Sequence, residues 1–351
     1  MNRRHFLALS LSGALIATGG SCGKKQETPA PPSGEGKKIK AGLVTDTGGV
    51  GDKSFNAQAW AGLQKAEKEL GAQVKYVESK QNADYVANLT KFAEAKYDVV
   101  FAVGFLMQDA LKEVAFKFPK VKFAIIDGDA PSSSNCVAYK FREEEGSFLA
   151  GALAASVSKS GVLGFVGGME MPLIKKFEYG YQAGAFTIKP DIQTRVAYVG
   201  DFNDSQKGME LALSQMGMRA DIVYHAAGKA GIGVIKAAQT KGEGYYAIGV
   251  DKDQDDEAPG RVLTSMVKRV DVAVFDVCKQ VKEGHFNSGT VELGLKEDGI
   301  GLSVMKNTKD KIPADVLKKI EELKQEIIEG KLKPPADARG FDNFTKAKVG
   351  N

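Results

Sequence analysis

Three predicted β-strands of this chain end in an aspartate, a placement that suits ligand binding. The segments GLVTD, FAIID and YAIGVD end at Asp46, Asp127 and Asp251. In an open parallel sheet, ligands bind just beyond the carboxyl ends of the strands. Asp is also frequent in turns because its side chain hydrogen-bonds to nearby backbone, so any one of the three alone predicts little. Together they predict hydrogen-bond acceptors that converge on one cleft.

A glycine-rich loop follows the first of these aspartates and leads into an amphipathic helix that begins near Lys53. Phe55 lies at the start of this helix and is placed to offer an aromatic face. The loop sequence GGVGDKS is similar to a phosphate-binding loop, whose required form is G-x-x-x-x-G-K-[ST]. Asp52 separates Gly51 from Lys53 and would set a negative charge against a phosphate. We therefore exclude hydrolysis of nucleoside triphosphates.

Motifs for other catalytic and cofactor sites are missing from the sequence. The predicted mature chain, from Cys22 onwards, contains no G-x-S-x-G, no H-E-x-x-H and no paired-cysteine motif. His225 follows an apolar run and is predicted to be structural. Gly228, Gly231 and Gly233 follow a strand, but their order reverses the dinucleotide-binding fingerprint, so they indicate a close backbone approach or a tight turn. The acidic loop after Asp251 lacks the glycine and the closing glutamate of a calcium loop. We expect no enzyme, no cofactor and no metal.

Composition and charge narrow the class of protein further. The chain has 351 residues, enough for about two domains. Its net charge is only +4, and no basic patch is interleaved with aromatic residues, so we expect no nucleic-acid partner. Cys136 and Cys278 have no metal-ligand spacing, and they either pair with each other or stay buried as free thiols.

The N-terminus is predicted to be a bacterial lipoprotein signal. A basic head at residues 2–5 precedes an apolar run at residues 6–18, which is too short to span a membrane permanently. The sequence GGSC that follows resembles a lipobox, with Cys22 as the residue that is acylated, for example with palmitate. The segment RRHFL also resembles a twin-arginine export signal, so both export routes stay open. Residues 22–38 are predicted to be a flexible tether from a lipid anchor to an extracytoplasmic domain.

Strand and helix patterns alternate over the remainder of the chain, which predicts a parallel sheet covered by helices on both faces. The pattern changes near residues 141–145, and a second series begins there. We therefore predict an α/β fold of two doubly wound lobes. The predicted strands are 39–46, 73–77, 99–103, 123–127, 136–139, 162–166, 195–199, 222–225, 246–250, 262–268 and 289–295, and the later helices are 83–94, 108–118, 146–158, 174–188, 205–216, 231–241, 270–283 and 313–329.

Nine segments, in order, resemble the basic membrane protein family of bacterial substrate-binding lipoproteins. They are GLVTDTGGVGDKSFNAQAWAGLQKA, VGFLMQDALKEVA, FAIIDGD, EEGSFLAGALAA, GFVGGMEMPLIKKFEYGYQAGA, YVGDFND, YHAAGKAG, YAIGVDKDQ and LTSMVKRVDVAV. The type that the chain resembles is the PnrA-like purine nucleoside receptor of ABC transporters. This resemblance implies the type I periplasmic binding fold, in which two α/β lobes are joined by a three-stranded hinge. It assigns residues 39–143 and 266–300 to the N-terminal lobe, and residues 144–265 and 301–340 to the C-terminal lobe.

The resemblance also implies that a nucleoside binds between the lobes. Phe55 would stack on the base from the first lobe, and Phe202 from the second, where Phe177 competes with it. Asp251 and Lys268 would bind the ribose hydroxyls. Each of these residues also has a structural interpretation, as a core aromatic, a turn residue or an exposed strand residue.

Four further positions match polar or glycine sites of the family. Asp127 would bind base nitrogens, Asp46 and Asn56 match polar positions of the first lobe, and Gly228 would let main-chain groups approach the ligand. Asn56 has a structural alternative as a helix cap, and Asp127 has one as a turn residue.

The same resemblance implies the partners. Inosine, guanosine or adenosine would be the ligand, and an ABC permease with its ATPase would receive it. The membrane would be contacted through the N-terminal lipid only, and we expect a monomer. Two alternatives stay open: a sugar or autoinducer receptor of the same fold, and a surface antigen or adhesin.

Overall fold

The structure, a computed structural model, describes residues 38–349. Within that range the chain forms twelve strands and ten α-helices. The strands are β1 (Lys40–Thr45), β2 (Gln73–Glu78), β3 (Val99–Val103), β4 (Lys122–Ile126), β5 (Cys136–Phe141), β6 (Val162–Gly167), β7 (Gln193–Tyr198), β8 (Ile222–Ala226), β9 (Tyr246–Asp251), β10 (Val262–Lys268), β11 (Gly289–Leu293) and β12 (Ile300–Leu302). The helices are α1 (Phe55–Leu70), α2 (Tyr85–Glu94), α3 (Gln108–Lys117), α4 (Glu143–Val157), α5 (Pro172–Ile188), α6 (Ser205–Gly217), α7 (Gly231–Lys241), α8 (Val270–Glu283), α9 (Ala314–Ile328) and α10 (Ala338–Val349).

The strands form two six-stranded sheets with the same winding. The first sheet has the order β11-β5-β4-β3-β1-β2, and the second has the order β12-β10-β9-β8-β6-β7. All pairs of the first sheet are parallel, whereas the short β12 pairs antiparallel with β10. In each sheet the strand order reverses at the first strand of the lobe, which creates a switch point beside β1 and beside β6. This confirms the predicted fold class of two doubly wound lobes.

Three chain crossings connect the lobes and form the predicted hinge. They lie between β5 and α4, between β10 and α8, and between β11 and β12. The Arg142 N–H donates to the Leu293 carbonyl at 3.0 Å, and the Arg269 N–H donates to the Gly299 carbonyl at 2.8 Å. The third crossing is therefore bonded to both of the others. β10 belongs to the second sheet over its whole length, up to and including Lys268. The predicted boundary between the lobes lies at residue 266, within this strand.

The central strands of both sheets are buried along almost their whole length. β3, with the sequence VVFAV, and β6, with the sequence VLGFVG, are buried at every position. Strands that helices cover on both faces consist of continuous apolar runs, and this is the pattern of both segments. The edge strands β2 and β7 contain several exposed positions instead. The apolar core therefore lies on both sides of each sheet.

Two helices of the second lobe, α4 and α5, pack at close range and position charged residues of the site. Gly151, Gly180 and Gly184 lie at their contact, where an added Cβ would come within 1.9–2.4 Å of the backbone of the other helix. This approach brings Glu143, at the start of α4, beside Lys176 on α5. α4 begins three residues before the predicted start because its first turn holds three glutamates, which the helix dipole favours.

Candidate functional site

The nine residues predicted for the ligand cleft line one cavity between the lobes. They are Asp46, Phe55, Asn56, Asp127, Phe177, Phe202, Gly228, Asp251 and Lys268. The first lobe contributes residues that follow β1, β3 and β4, and the second contributes residues from α5, from the loop after β7 and from the ends of β8, β9 and β10. The carboxyl ends of strands from both sheets therefore meet at this cavity, as expected for doubly wound lobes.

The first wall is the glycine-rich loop after β1, which the buried carboxylate of Asp52 and the half-buried carboxylate of Asp46 hold in shape. Asp52 accepts hydrogen bonds of 2.8–3.0 Å from three backbone N–H groups at the start of α1, and so satisfies donors that a helix leaves unpaired. Asp46 accepts hydrogen bonds of 2.8 Å from the Gly48 N–H and from Asn56 Nδ2. Burial raises the pKa of Asp46 to about 6. Asp52, the residue that distinguishes this loop from a phosphate-binding loop, therefore caps helix α1.

A chain of buried charges crosses between the lobes at this cavity. Lys268 Nζ donates to Asp127 Oδ2 of the first lobe and to Glu143 Oε1 at 3.2 Å. Glu143 Oε2 in turn accepts from Lys176 Nζ at 3.2 Å. Lys268 is only 1% exposed. The alternative interpretation, in which Lys268 is an exposed strand residue with no function in the site, is therefore wrong.

Asp127 and Lys268, which pair across the cleft, shift each other's pKa. Burial raises the pKa of Asp127 to about 7, against the opposing effect of the Lys268 ammonium. Burial by itself disfavours the charged form of Lys268, but the Asp127 and Glu143 carboxylates outweigh it and raise the pKa of Lys268 above its usual range. Lys268 is therefore a permanent cation at the cavity.

Asp251 contacts the first lobe at the start of α1. The Ser54 hydroxyl donates to Asp251 Oδ2, and Gln58 Nε2 donates to the Asp251 carbonyl at 3.3 Å. Burial raises the pKa of Asp251 to about 6. Asp251 therefore takes part in a contact between the lobes as well as in the lining of the cavity.

Aromatic rings from both lobes line the cavity. Phe55 and Phe202 are only partly buried, and Phe105 packs edge-on against Phe202 with ring centroids 6.2 Å apart. Phe177 is 3% exposed and belongs to the hydrophobic core, which agrees with its structural alternative. Lys268 Nζ lies 5.1 Å from the centroid of Phe55 and 5.5 Å from that of Phe177, distances at which a cation is attracted to a ring.

Two buried oxygens of cavity-lining residues lack a hydrogen-bond partner among the residues that the structure describes. They are Asn56 Oδ1 and Asp127 Oδ1. The other polar atom of each side chain is bonded within the protein, which fixes the direction of the unpaired oxygen. An unpaired buried acceptor costs about 1–3 kcal/mol. A ligand with N–H or O–H donors at these two points would remove that cost.

The three glycines after β8 serve two different purposes. Gly228 has φ +55°, a conformation that favours glycine, and an added Cβ would lie 3.5 Å from Phe202. An added Cβ would lie 1.9 Å from the His225 ring at Gly231 and 1.9 Å from a backbone carbonyl of α6 at Gly233. Gly228 therefore permits a turn, and Gly231 and Gly233 permit a close approach of the backbone to neighbouring groups, whereas the approach of a ligand to Gly228 stays a prediction.

Three residues that sequence reasoning missed take part in this site. Phe105 lines the cavity and follows β3 by one glycine, so its place after a strand end was the signal that would have found it. Ser54 and Glu143 act through Asp251 and Lys268. Glu143 carries no sequence signal of its own, because two further glutamates follow it directly.

The predicted signal, the acylated Cys22 and the tether up to residue 37 lie outside the described residues. Cys136 and Cys278 are both buried and free, so of the two alternatives, a disulfide or two buried thiols, the structure has the buried thiols. Within residues 38–349, no group of three or more His, Cys, Asp or Glu side chains is arranged to hold a metal ion. In the same range, every helix is too short or too polar to cross a membrane.

Comparisons with known proteins agree on one family. The family described as ABC transporter substrate-binding protein PnrA-like matches residues 39–338. The CD4+ T-cell-stimulating antigen of Listeria innocua is 39% identical over 364 aligned positions, which cover 95% of this chain and 99% of that protein. The ABC transporter nucleoside-binding protein BmpA of Lactococcus lactis is 33% identical and is covered over 100% of its length, with 96% of this chain.

A solved structure of an ABC transporter solute-binding protein has the same fold. A solute-binding protein of an ABC transporter system from Aeropyrum pernix K1 superposes with a TM-score of 0.81 and 31% identity, covering 89% of this chain and 98% of that chain. The family match, the relatives of similar length and the two-lobed winding are mutually consistent. The chain therefore belongs to the basic membrane protein (Bmp) family of PnrA-like ABC transporter substrate-binding proteins.

Proposed function

We propose that this chain is a lipid-anchored nucleoside-binding protein that captures purine nucleosides in the interlobe cavity and delivers them to an ABC permease. The observation that carries the proposal is the composition of the cavity, which is lined by partly buried rings from both lobes, by buried carboxylates and by one buried lysine, Lys268. The printed name of the Lactococcus relative, a nucleoside-binding protein, supports it.

The base of a nucleoside is a flat ring with polar edges. Phe55 and Phe202 come from opposite lobes and would hold its two faces, and stacking of this kind contributes about 1–3 kcal/mol per base. The unpaired oxygens of Asn56 and Asp127 would accept hydrogen bonds from N–H groups at the edge of the base. Phe105 supports the Phe202 ring from the side.

The ribose of a nucleoside carries vicinal hydroxyl groups, which can donate to one carboxylate. Asp251 supplies that carboxylate from the second lobe, and the Lys268 ammonium would donate to the hydroxyl oxygens. Asp251 is held in place by Ser54 of the first lobe. Binding of the sugar is therefore coupled to contact between the lobes.

Delivery requires that the lobes open and close. Three hydrogen-bonded crossings allow a hinge motion of the two lobes, which is how periplasmic binding proteins close on their ligands. The closed form would dock on the permease, which a cytoplasmic ATPase drives. An acylated Cys22 would hold the protein at the membrane, and residues 22–38 would provide the reach.

The ligand class is tested by thermal unfolding of the purified protein with inosine, guanosine, adenosine, cytidine or free ribose. A ligand at a concentration of 100 Kd adds about 2.7 kcal/mol to the free energy of unfolding, so we expect a clear rise of the melting temperature with the purine nucleosides. A rise with ribose alone would establish the sugar-receptor alternative. No rise with any nucleoside would refute the proposal. Mass spectrometry of the denatured protein would identify any ligand that copurifies.

The anchor is tested by cell fractionation of a Cys22→Ala variant. We expect the wild-type chain in the membrane fraction and this variant in the soluble extracytoplasmic fraction. Cys136→Ala is the matched control, because it removes a buried thiol and should leave the protein on the membrane. A Cys22→Ala chain that stays membrane-bound would show that lipid on this residue is not the anchor.

A further inference from the structure

The lobes also meet beside the cavity, where the loop after β9 contacts the glycine-rich loop of the first lobe. Gln254 Nε2 donates to the Lys53 carbonyl at 3.0 Å, and Lys53 Nζ pairs with Glu257 at 2.5 Å. Gln254 is fully buried, whereas the Lys53 side chain is 54% exposed. An exposed ion pair contributes about 0–1 kcal/mol, so the bond from the Gln254 amide is the stronger of these two contacts.

The second lobe fixes the orientation of the Gln254 amide. Oε1 accepts from the Val250 N–H at 2.9 Å and lies 3.0 Å from His225 Nε2. The Val250 N–H can only donate, so the amide oxygen must face it. His225 must then donate through Nε2 to the same oxygen. The amide nitrogen is left to donate outwards, to Lys53.

Close packing keeps His225 in this tautomer. An added Cβ at Gly231 would lie 1.9 Å from His225 Nδ1, and Nδ1 has no hydrogen-bond partner within the described range. Burial lowers the pKa of His225 to about 4, so the ring is neutral at ordinary pH. Gly249 provides matching room for Gln254, because an added Cβ there would lie 2.5 Å from Oε1.

We propose that Gln254 is a positioning residue that binds the glycine-rich loop of the first lobe in the closed protein, and that His225 sets the direction of its amide. That loop leads directly to Phe55 and Asn56, so the bond positions both groups at the cavity. Neither Gln254 nor His225 is among the described residues that line the cavity. Both therefore act on ligand affinity without touching the ligand. This effect on affinity rests on the proposed function.

Two substitutions test the donor function of Gln254. Gln254→Glu keeps an acceptor for Val250 and His225 but sets an oxygen against the Lys53 carbonyl, so it separates the donor function from these bonds. Gln254→Met removes the donor without adding charge, and it also removes the acceptor for Val250 and His225. We expect both variants of the full chain to bind inosine about tenfold more weakly in isothermal titration calorimetry, through faster dissociation. Lys53→Gln is the control, because it keeps the carbonyl and loses only the ion pair, and its affinity should stay within about twofold of wild type.

A measurement of lobe separation distinguishes this proposal from the proposed function. Spin labels at Lys112→Cys on α3 and Lys207→Cys on α6, both exposed positions, report the distance between lobes by pulsed electron paramagnetic resonance in a Cys22→Ser background. We expect the population at the separation seen in the structure to be smaller in both Gln254 variants than in wild type. Wild-type affinity or an unchanged distance distribution in these variants would overturn the proposal. If the wild-type chain binds no nucleoside, the proposed function is wrong. The distance distributions of the wild type and the Gln254 variants then decide by themselves whether Gln254 holds the lobes together.

Discussion

Asp127 and Asp251 occupy equivalent places in the two lobes and line the same cavity. Each stands at the end of the fourth strand of its lobe, β4 or β9, and each has a left-handed backbone conformation, with φ +64° and +67°. Asp tolerates this conformation better than most residues because its short side chain can hydrogen-bond locally. The equivalent geometry brings one buried carboxylate from each lobe to the cleft, where Lys268 opposes the rise in the pKa of both.

Stability without added ligand should fall as the pH rises from about 4 to about 7. Burial raises the pKa to about 6 for Asp46 and Asp251 and to about 7 for Asp127, whereas an unfolded Asp titrates near about 3.9. The native state therefore binds more protons than the unfolded state in this window, and the free energy of unfolding decreases as they are lost. Urea unfolding at several pH values checks this. Asp127→Asn should flatten the upper part of the curve, and a rise of stability across the window would contradict the assignment.

Nucleoside affinity should rise as the pH rises from 5 to 7, whereas the stability of the unliganded protein should fall over this range. A carboxyl group accepts strong, charge-assisted hydrogen bonds from two ribose hydroxyls only when it is ionised, and Asp251 has a pKa raised to about 6. We expect the dissociation constant for inosine to increase about tenfold between pH 7 and pH 5. Calorimetry across this range is the measurement. Phe202→Ala should bind more weakly but keep the same pH dependence, so a loss of the dependence in that variant would count against Asp251.

Asp251→Ala should abolish binding of ribonucleosides and leave the fold intact. The substitution removes the acceptor for the sugar, and the contact it breaks inside the protein is the one with Ser54. Calorimetry with inosine and 2′-deoxyinosine measures the effect. Wild type should prefer the ribonucleoside, and the variant should give no binding signal with inosine. Ser54→Ala is the control that removes only the support of the carboxylate, and unchanged affinity in Asp251→Ala would exclude this residue from the site.

Phe202→Ala and Phe177→Ala should fail in different ways. Phe202 is partly buried at the cavity, so its loss should weaken nucleoside binding by about 1–3 kcal/mol with little change in melting temperature. Phe177 is packed in the core, so its loss should cost about 3–5 kcal/mol of stability. Calorimetry and thermal unfolding of both variants separate these effects. A stable Phe177→Ala chain with lost affinity would assign the stacking position to Phe177.

Lys268→Met should destabilise the protein as well as remove a ligand contact. It leaves the buried Asp127 and Glu143 carboxylates without their shared partner, and breaking a buried pair in this way costs about 3–5 kcal/mol. Chemical unfolding at pH 7.5 is the measurement. Lys268→Arg keeps the charge and should recover part of the stability. If Lys268→Met is as stable as wild type, the charge chain has no structural function.

The sequence by itself determined the winding of both lobes and the strand ends that supply the site. Strands buried on both faces need continuous apolar runs, and the ends of β1, β4 and β9 are marked by Asp46, Asp127 and Asp251 followed by turn residues. These are local patterns, so they survive in a linear sequence. Asp127 and Asp251 therefore could be placed near one cleft before any coordinates were known.

Tertiary structure alone decided which side chains meet across that cleft. Lys268 and Asp127 are 141 positions apart in sequence, and Gln254 and Lys53 are 201 apart. No local pattern records such pairs, because they depend on how two separately wound lobes dock. Packing also settled the buried, free state of Cys278. Local periodicity specifies elements, whereas the partners of buried charges and amides are specified only by the packing of one lobe on the other.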